Sequence, residues 1–443
     1  MKRSPYVATT GAVYLYFVLY GMAVIVMSQH SAQLQQQWGA TEGQVLQAIA
    51  GVGIGKIIGP TFAGFLSDRF GRRPAVVTGL VLVAVFLGAL LVSPTWQVGF
   101  VLAVLFGLAN AIGDTGNYPT LMEIFPAHAG TANVLVKAAI ALGQLTLPLL
   151  VTASASAGLP WGVPLTGMLL VLAGLVVTQL RAPYPDHRSA AAPAAPADAG
   201  WAGDAGAAPA TAYQADQTSH ADGPRPRAGV DGAALVAYAF CATAMFWLAQ
   251  NTLPALGVHL AGMSPGAGRA LVAEYSAGSI VGVLATAALV ARAVRGVTIL
   301  VVYPAAAALA YTGLLVLPDP GAFRVCAFAI GVFAAGGLFQ LTVVVLAEFF
   351  PQRKGVVTSM VGLASGLAAF ALPFVSGLVV GDASEAGSRY RVVVALGIGV
   401  AVAAALLGAL VRRRHTLLRV APVGAVAVGA HALDDEPALT PPR

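Results

Sequence analysis

Two lysines and an aspartate, Lys56, Asp114 and Lys137, stand inside long apolar runs where charge is expensive. Lys56 lies twelve residues before Asp68, Asp114 twelve before Pro126, and Lys137 eleven after Pro126. At ~1.5 Å per helical residue each is about 16–18 Å from the same boundary, so all three share one depth. A charge at the centre of a bilayer costs at least ~2.5 kcal/mol unless it is paired or hydrated, and such residues usually mark a site. One chemistry follows directly. A lysine pairs with Asp114 while the other holds an anionic group such as a carboxylate, and protonation of Asp114 then releases its lysine and couples proton movement to binding. The same three residues could instead form a structural network that locks the helices together.

The neighbours of these charges are polar at helical spacing. Asn110, Asp114 and Asn117 recur at i, i+4 and i+7, and Asn133, Lys137 and Gln144 form a similar stripe. Stripes of this kind belong against a water-filled cavity rather than against lipid. Tyr16 and Tyr20 sit a turn apart on the first apolar run, with Gln29 towards its end, and Gln250 and Asn251 occupy the corresponding part of the seventh. The C-terminal half has Phe339, followed by Gln340, where the N-terminal half has Asp114. Charge chemistry is therefore expected from the N-terminal half alone.

The elements that position these groups follow from composition. Of 443 residues 58% are hydrophobic and only 9% are charged, with a mean hydropathy of +0.80. A soluble chain has about a quarter of its residues charged, so most of this surface must face something other than water. Apolar runs near 20 residues match the ~30 Å hydrocarbon core, and only a helix satisfies its own backbone there. The 51 glycines suit close helix–helix approach in lipid. Twelve spans are expected at 9–33, 43–66, 74–93, 97–122, 131–153 and 160–180, then 231–256, 268–291, 296–316, 321–347, 355–380 and 390–411. They give an N-terminal unit over 1–180 and a C-terminal unit over 231–411. An Ala-, Pro-, Asp- and Gly-rich linker over 181–230 joins them, and a tail covers 412–443. The first apolar run continues into Ser28, Gln29 and His30 without a small-residue cleavage site, so it reads as a span.

Basic residues set the expected orientation. Only Arg269, Arg324, Arg389 and Arg391 fall on one side, and Lys56 and Lys137 lie within spans; every other one of the 24 falls on the opposite side. That side is expected to be cytoplasmic, with both termini on it. The sequence pI near 9.4 thus reports topology, and no nucleic-acid partner is expected.

The two halves repeat one another. Leu121–Gly130 (LMEIFPAHAG) aligns with Leu346–Gly355 (LAEFFPQRKG), which pairs Glu123 with Glu348. Gly55 and Gly59 match Gly278 and Gly282, and Arg69 and Arg72 match Arg292 and Arg295. Duplicated halves of six spans are an architecture of secondary transporters, with the site between the halves. The run Gly64–Pro74, G-F-L-S-D-R-F-G-R-R-P, joins the second and third spans. It resembles the signature loop of the major facilitator superfamily, G-x-L-x-D-R-x-G-R-R. The resemblance implies an all-α integral membrane fold of twelve transmembrane helices in two pseudo-symmetric six-helix bundles. It also implies a conformational latch carried by Gly64, Asp68, Arg69, Gly71, Arg72 and Arg73, with Glu123 and Glu348 as acidic partners. Arg292 and Arg295 would form a weaker second copy that lacks the aspartate. Drug exporters of the superfamily usually carry an arginine early in span four, and Val101–Gly107 has none.

Enzyme signatures are missing: there is no nucleophile elbow, no H-E-x-x-H and no Walker-type loop. The chain is therefore expected not to be an enzyme and to need no cofactor or metal. The expected function is alternating-access, proton-coupled transport of a small polar or anionic metabolite across a cell membrane by a monomer. The rival readings are a proton-driven efflux pump for hydrophobic compounds and a transport-inactive sensor on the same fold.

Overall fold

The computed structural model describes residues 5–126, 129–185, 226–350, 354–381 and 386–418, giving the backbone alone for 64–70, 129–131, 133, 134, 228, 354–358 and 386. Most of the 181–230 linker and the end of the 412–443 tail lie outside the described residues. The N-terminal half comprises α1 (Val7–Gln29), α2 (Ser31–Trp38), α3 (Glu42–Phe70), α4 (Arg72–Leu90), α5 (Trp96–Ile124), α6 (Ala129–Ser156) and α7 (Val163–Arg181). The C-terminal half comprises α8 (Ala233–Ala261), α9 (Pro265–Ala291), α10 (Gly296–Val316), α11 (Pro320–Ala335), α12 (Leu338–Phe349), α13 (Lys354–Val380) and α14 (Ala386–Leu417). Among the described residues, twelve helical segments are long and apolar enough to cross a membrane, with α11 and α12 together forming one of them.

Helix starts follow local chemistry. Ser264 caps α9 through the Ala267 N–H with Pro265 in the first turn, and Asp319 and Pro320 do the same for α11, with Asp319 accepting from the Ala322 N–H at 3.0 Å. Within each half the helices cross at glycines. A Cβ on Gly55 of α3 would strike the Val104 carbonyl, and one on Gly107 of α5 would strike the Val52 carbonyl. The C-terminal half repeats this crossing: Gly278 of α9 lies on the Phe328 carbonyl, and Gly331 of α11 lies on the Tyr275 carbonyl. Backbones this close can be joined only by residues without a side chain. The repeat in sequence is thus a repeat in packing.

Span ten departs from its N-terminal counterpart. Where α5 runs unbroken through Asp114, the C-terminal equivalent stops at Ala335 and restarts at Leu338, with Gly337 at φ 102°. The Thr286 hydroxyl donates to the Gly336 carbonyl, taking up an acceptor that the break exposes.

The halves meet at mid-depth and at the end opposite the arginine-rich loops. The Gly43 N–H of α3 points at the Gly381 carbonyl at 3.4 Å, and Gly53 and Gly366 bring α3 against α13. His259 Nε2 lies 3.1 Å from Glu42 Oε2, with the His259 ring stacked on Tyr390 at 5.0 Å between centroids. At the basic end Arg72 pairs with Glu123, Arg414 with Asp231 and His415 with Glu348, each pair within one half.

Candidate functional site

A cavity of about 80 Å³ lies between the halves. The N-terminal half contributes Tyr20 from α1 and Lys137 and Gln144 from α6. The C-terminal half contributes Phe246, Trp247 and Gln250 from α8, Tyr275 and Ser279 from α9, and Phe339 and Gln340 from α12, just past the break. Among the described residues, Lys137 is the one charged side chain on its wall. Gln144 Nε2 donates to Gln250 Oε1 at 3.0 Å, so one hydrogen bond joins the two halves across the cavity.

Of the three charges expected at one depth, one lines the cavity. Lys137 lines the cavity, whereas Lys56 and Asp114 are buried and are not among its lining residues. The Lys56 ammonium lies 5.5 Å from the centroid of the Trp247 ring, a cation–π contact from α3 of one half to α8 of the other. Asp114 accepts from Asn110 Nδ2 at 2.9 Å within α5. Its side chain is 3% exposed, so charge there depends on such neighbours.

Several polar candidates turn back to their own helices. Asn117 Nδ2 donates to the Gly113 carbonyl and Asn251 Nδ2 to the Trp247 carbonyl, each at 2.9 Å. Gln29 is buried at the end of α1 and does not line the cavity. Tyr20, Gln250 and Gln340 do line it. The side chain of Asn133 lies outside the described residues.

Sequence reasoning missed the aromatic wall of the cavity. Trp247 sits one turn before Gln250 and Asn251, and that spacing was the available signal. Its partnership with Lys56 was hidden because cation–π contacts between distant segments leave no spacing pattern.

The loop between the second and third spans makes its described contacts through arginine. Gly71 takes φ 88°, in the left-handed range that glycine tolerates, and opens α4. Arg72 Nε lies 3.3 Å from Glu123 Oε1, and Arg73 Nη2 donates to the Ala182 carbonyl at 2.6 Å. The Arg73 guanidinium also covers the Tyr184 ring at 5.2 Å. The side chains of Asp68 and Arg69 lie outside the described residues, as does any side-chain packing around Gly64. In the second copy Arg292 and Arg295 are exposed, and Glu348 pairs with His415 of α14 at 3.2 Å.

Comparison with known proteins agrees with this architecture. The sequence matches the Major Facilitator Superfamily over residues 10–331. It is 32% identical over 375 residues to the uncharacterized MFS-type transporter YfkL of Bacillus subtilis (strain 168), covering 84% of this chain and 89% of that one. It is 30% identical over 392 residues to the inner membrane transport protein YdiN of Escherichia coli (strain K12), covering 88% and 86% respectively. Among solved structures, the nucleoside transporter NupG superposes with a TM-score of 0.71 at 13% identity, covering 92% of this chain and all of that one. The D-xylose-proton symporter gives 0.66 at 16% identity, covering 90% and 97%. At such identities the structures speak for the fold alone. From the matched residues, the paired bundles and these relatives, the chain belongs to the Major Facilitator Superfamily and is a multi-pass membrane transporter.

Proposed function

We propose that the chain is a proton-coupled secondary transporter of a small polar or anionic solute, bound in the cavity between the two halves. The observation that carries this reading is Lys137, the one charged side chain among the described residues of a wall that otherwise holds carboxamides, hydroxyls, rings and aliphatic groups. An ammonium in a low-dielectric cavity attracts an anionic group far more strongly than it would in water. The cavity of about 80 Å³ suits a small solute, since pockets for drug-sized ligands run to roughly 300–1,000 Å³. That contrast weighs against an efflux pump for bulky hydrophobic compounds.

Asp114 is the group proposed to carry the proton. It is buried with Asn110 as hydrogen-bond donor, on α5, whose Gly107 packs against the backbone of Gly55 and Lys56 in α3. Protonation there removes a buried charge and loosens whatever it holds in place. The basic end is proposed to be cytoplasmic, following the excess of arginine on that side. The closed contacts Glu42–His259 and Gly43–Gly381 then form the outer barrier, and alternating access requires them to part.

The test is uptake of radiolabelled carboxylates, sugars and cationic dyes into proteoliposomes under an imposed proton gradient. Wild type, Lys137→Gln and Asp114→Asn are run side by side. Gradient-driven uptake of an anion, lost in Lys137→Gln and uncoupled from the gradient in Asp114→Asn, is the expected result. Transport of dyes instead, or full activity of both variants, would overturn the reading.

A further inference from the structure

We infer that the basic end of the C-terminal half holds an anionic phospholipid, with its phosphate among Arg292, Arg295 and Arg413 and its acyl chains along α10 and α14. The two copies of the arginine-rich loop treat their guanidiniums differently. In the first, Arg72 lies against Glu123, and Arg73 lies against the Ala182 carbonyl and the Tyr184 ring. In the second, Arg292 and Arg295 are exposed and form no ion pair among the described residues, as is true of Arg413 at the end of α14. Glu348, which matches Glu123 in the repeat, lies 3.2 Å from His415, and Asp231 is held by Arg414. An anion from outside the chain takes the place beside Arg292 and Arg295 that Glu123 takes beside Arg72.

Packing brings Arg295 and Arg413 to one level. A Cβ on Gly408 of α14 would strike the Leu300 carbonyl of α10, and the Tyr238 hydroxyl donates to that same oxygen at 2.9 Å. Gly397 lies against the Tyr311 ring, so the two helices run antiparallel. From the crossing, α10 reaches Arg295 five residues before Leu300, and α14 reaches Arg413 five residues after Gly408. Both arginines thus lie ~7.5 Å along the axis towards the basic end. Arg292 sits in the short connection just ahead of α10.

Arg295 and Arg413 each top an apolar stripe. Counting by sevens from Arg295 gives Val302 and Leu309 on α10, and Leu406 and Leu410 precede Arg413 at helical spacing on α14. Leu309 is 75% exposed and Leu406 67%, and Val302 and Leu410 are exposed too. On helices that span a bilayer, large apolar side chains left exposed face acyl chains. An arginine ending such a stripe lays its stem along the chains and its guanidinium among the headgroups. There its paired N–H donors match phosphate oxygens. Three such groups favour a headgroup of net negative charge over a zwitterionic one, whose own cation they repel. A soluble phosphate would meet the same guanidiniums but leave both stripes unused. The excess of arginine at this end follows from topology, whereas the alignment of Arg295 and Arg413 over exposed stripes does not.

The test is lipid binding to the purified full-length protein in detergent, read by native mass spectrometry as the dissociation constant of the first bound lipid. The probes are phosphatidylglycerol and phosphatidylcholine with the same acyl chains, with inorganic phosphate as a soluble competitor. Wild type is expected to bind phosphatidylglycerol about ten-fold or more tightly than phosphatidylcholine, since each arginine near an anionic headgroup is worth roughly five-fold. Arg295→Gln with Arg413→Gln is expected to bring the two lipids within about three-fold of each other, in protein whose melting midpoint matches wild type. Arg181→Gln with Arg391→Gln removes as many exposed charges elsewhere and is expected to leave the preference within about two-fold of wild type. Equal binding of the two lipids by wild type, or the same loss in both pairs of substitutions, would overturn the inference. Displacement of phosphatidylglycerol by inorganic phosphate at equal concentration would show a site for a soluble anion and overturn the lipid. Should the Arg295–Arg413 pair of substitutions fail to fold, Arg413→Gln alone reads the same ratio. A loss of about three-fold or more is expected there, and no loss would overturn the inference.

Discussion

Lys137 and His30 each carry a prediction that belongs to a single side chain. If Lys137 holds the charge of the solute, Lys137→Arg keeps the charge but replaces a compact ammonium by a planar fork. The expected result is partial uptake, within about ten-fold of wild type, whereas Lys137→Gln falls at least ~100-fold, since a lost charged hydrogen bond in a dry site is worth about 2–3 kcal/mol. Initial rates in proteoliposomes check the order of the two. His30, between α1 and α2, is 1% exposed, donates from Nδ1 to the Val26 carbonyl at 2.9 Å and lies against Trp161. Burial pushes its pKa down to about 4; the Val26 hydrogen bond opposes that shift and the charge of Arg269 adds to it. The folded protein therefore holds His30 neutral, and the unfolded chain takes up its proton near the ordinary 6.5. Its contribution is fully present above pH 6.5 and is lost as pH falls towards 4, roughly 3 kcal/mol in all. The melting midpoint in detergent should fall more between pH 7 and 5 for wild type than for His30→Gln. Equal falls would show that His30 does not set this dependence.

Helix crossings carry the next level. The α3–α5 contact works because Gly55 and Gly107 have no Cβ, and any side chain at Gly107 meets the Val52 carbonyl and the Gly55 backbone. Gly107→Val is expected to cost at least ~3 kcal/mol, the scale of severe overpacking. Gly174→Val on α7, where nothing lies within 4 Å of the added carbon, should stay within about 0.5 kcal/mol of wild type. Thermal melting of the two variants in one detergent decides the matter; similar losses would mean that the crossing is not the constraint. The same glycine-lined crossing recurs between α9 and α11, yet α11 then ends where α5 continues. Leu338 restarts the helix beside the cavity, which brings Phe339 and Gln340 to its wall. The two halves thus share a frame but differ where they face the cavity.

At the scale of the whole molecule, the contacts between halves decide which side is closed. Glu42 and His259 meet at 3.1 Å at the end opposite the basic loops, beside the approach of Gly43 to Gly381. Alternating access by rocking of the halves requires this end to separate in every cycle. With Glu42→Cys and His259→Cys introduced together, a short thiol–thiol cross-linker is expected to abolish uptake, and a reducible linker should allow recovery on reduction. Unchanged transport in the fully cross-linked protein would mean that this end does not open. Glu42→Gln alone should shift the population towards the outward-open form, because a charge-assisted bond across the barrier is weakened to a neutral one. Spin-label distances across that end would report the shift.

The sequence by itself determined the membrane class, the twelve spans, the duplicated halves and the family, because each is a property of local composition or of a contiguous motif. A bilayer demands long apolar helices wherever the chain crosses it, and Gly64–Pro74 is one uninterrupted run. A common depth for Lys56, Asp114 and Lys137 is an expectation from rise per residue alone. Which of them faces the cavity was decided only by tertiary structure. Depth leaves rotation about the helix axis open, and that rotation is set by packing between helices far apart in sequence. Packing brought Lys137 to the cavity, Lys56 over the Trp247 ring and Asp114 beside Asn110. The pairing of Glu348 with His415 likewise depends on α14 docking beside α12. Composition specifies where a charge lies along the membrane normal, and only the packed bundle specifies what it meets there.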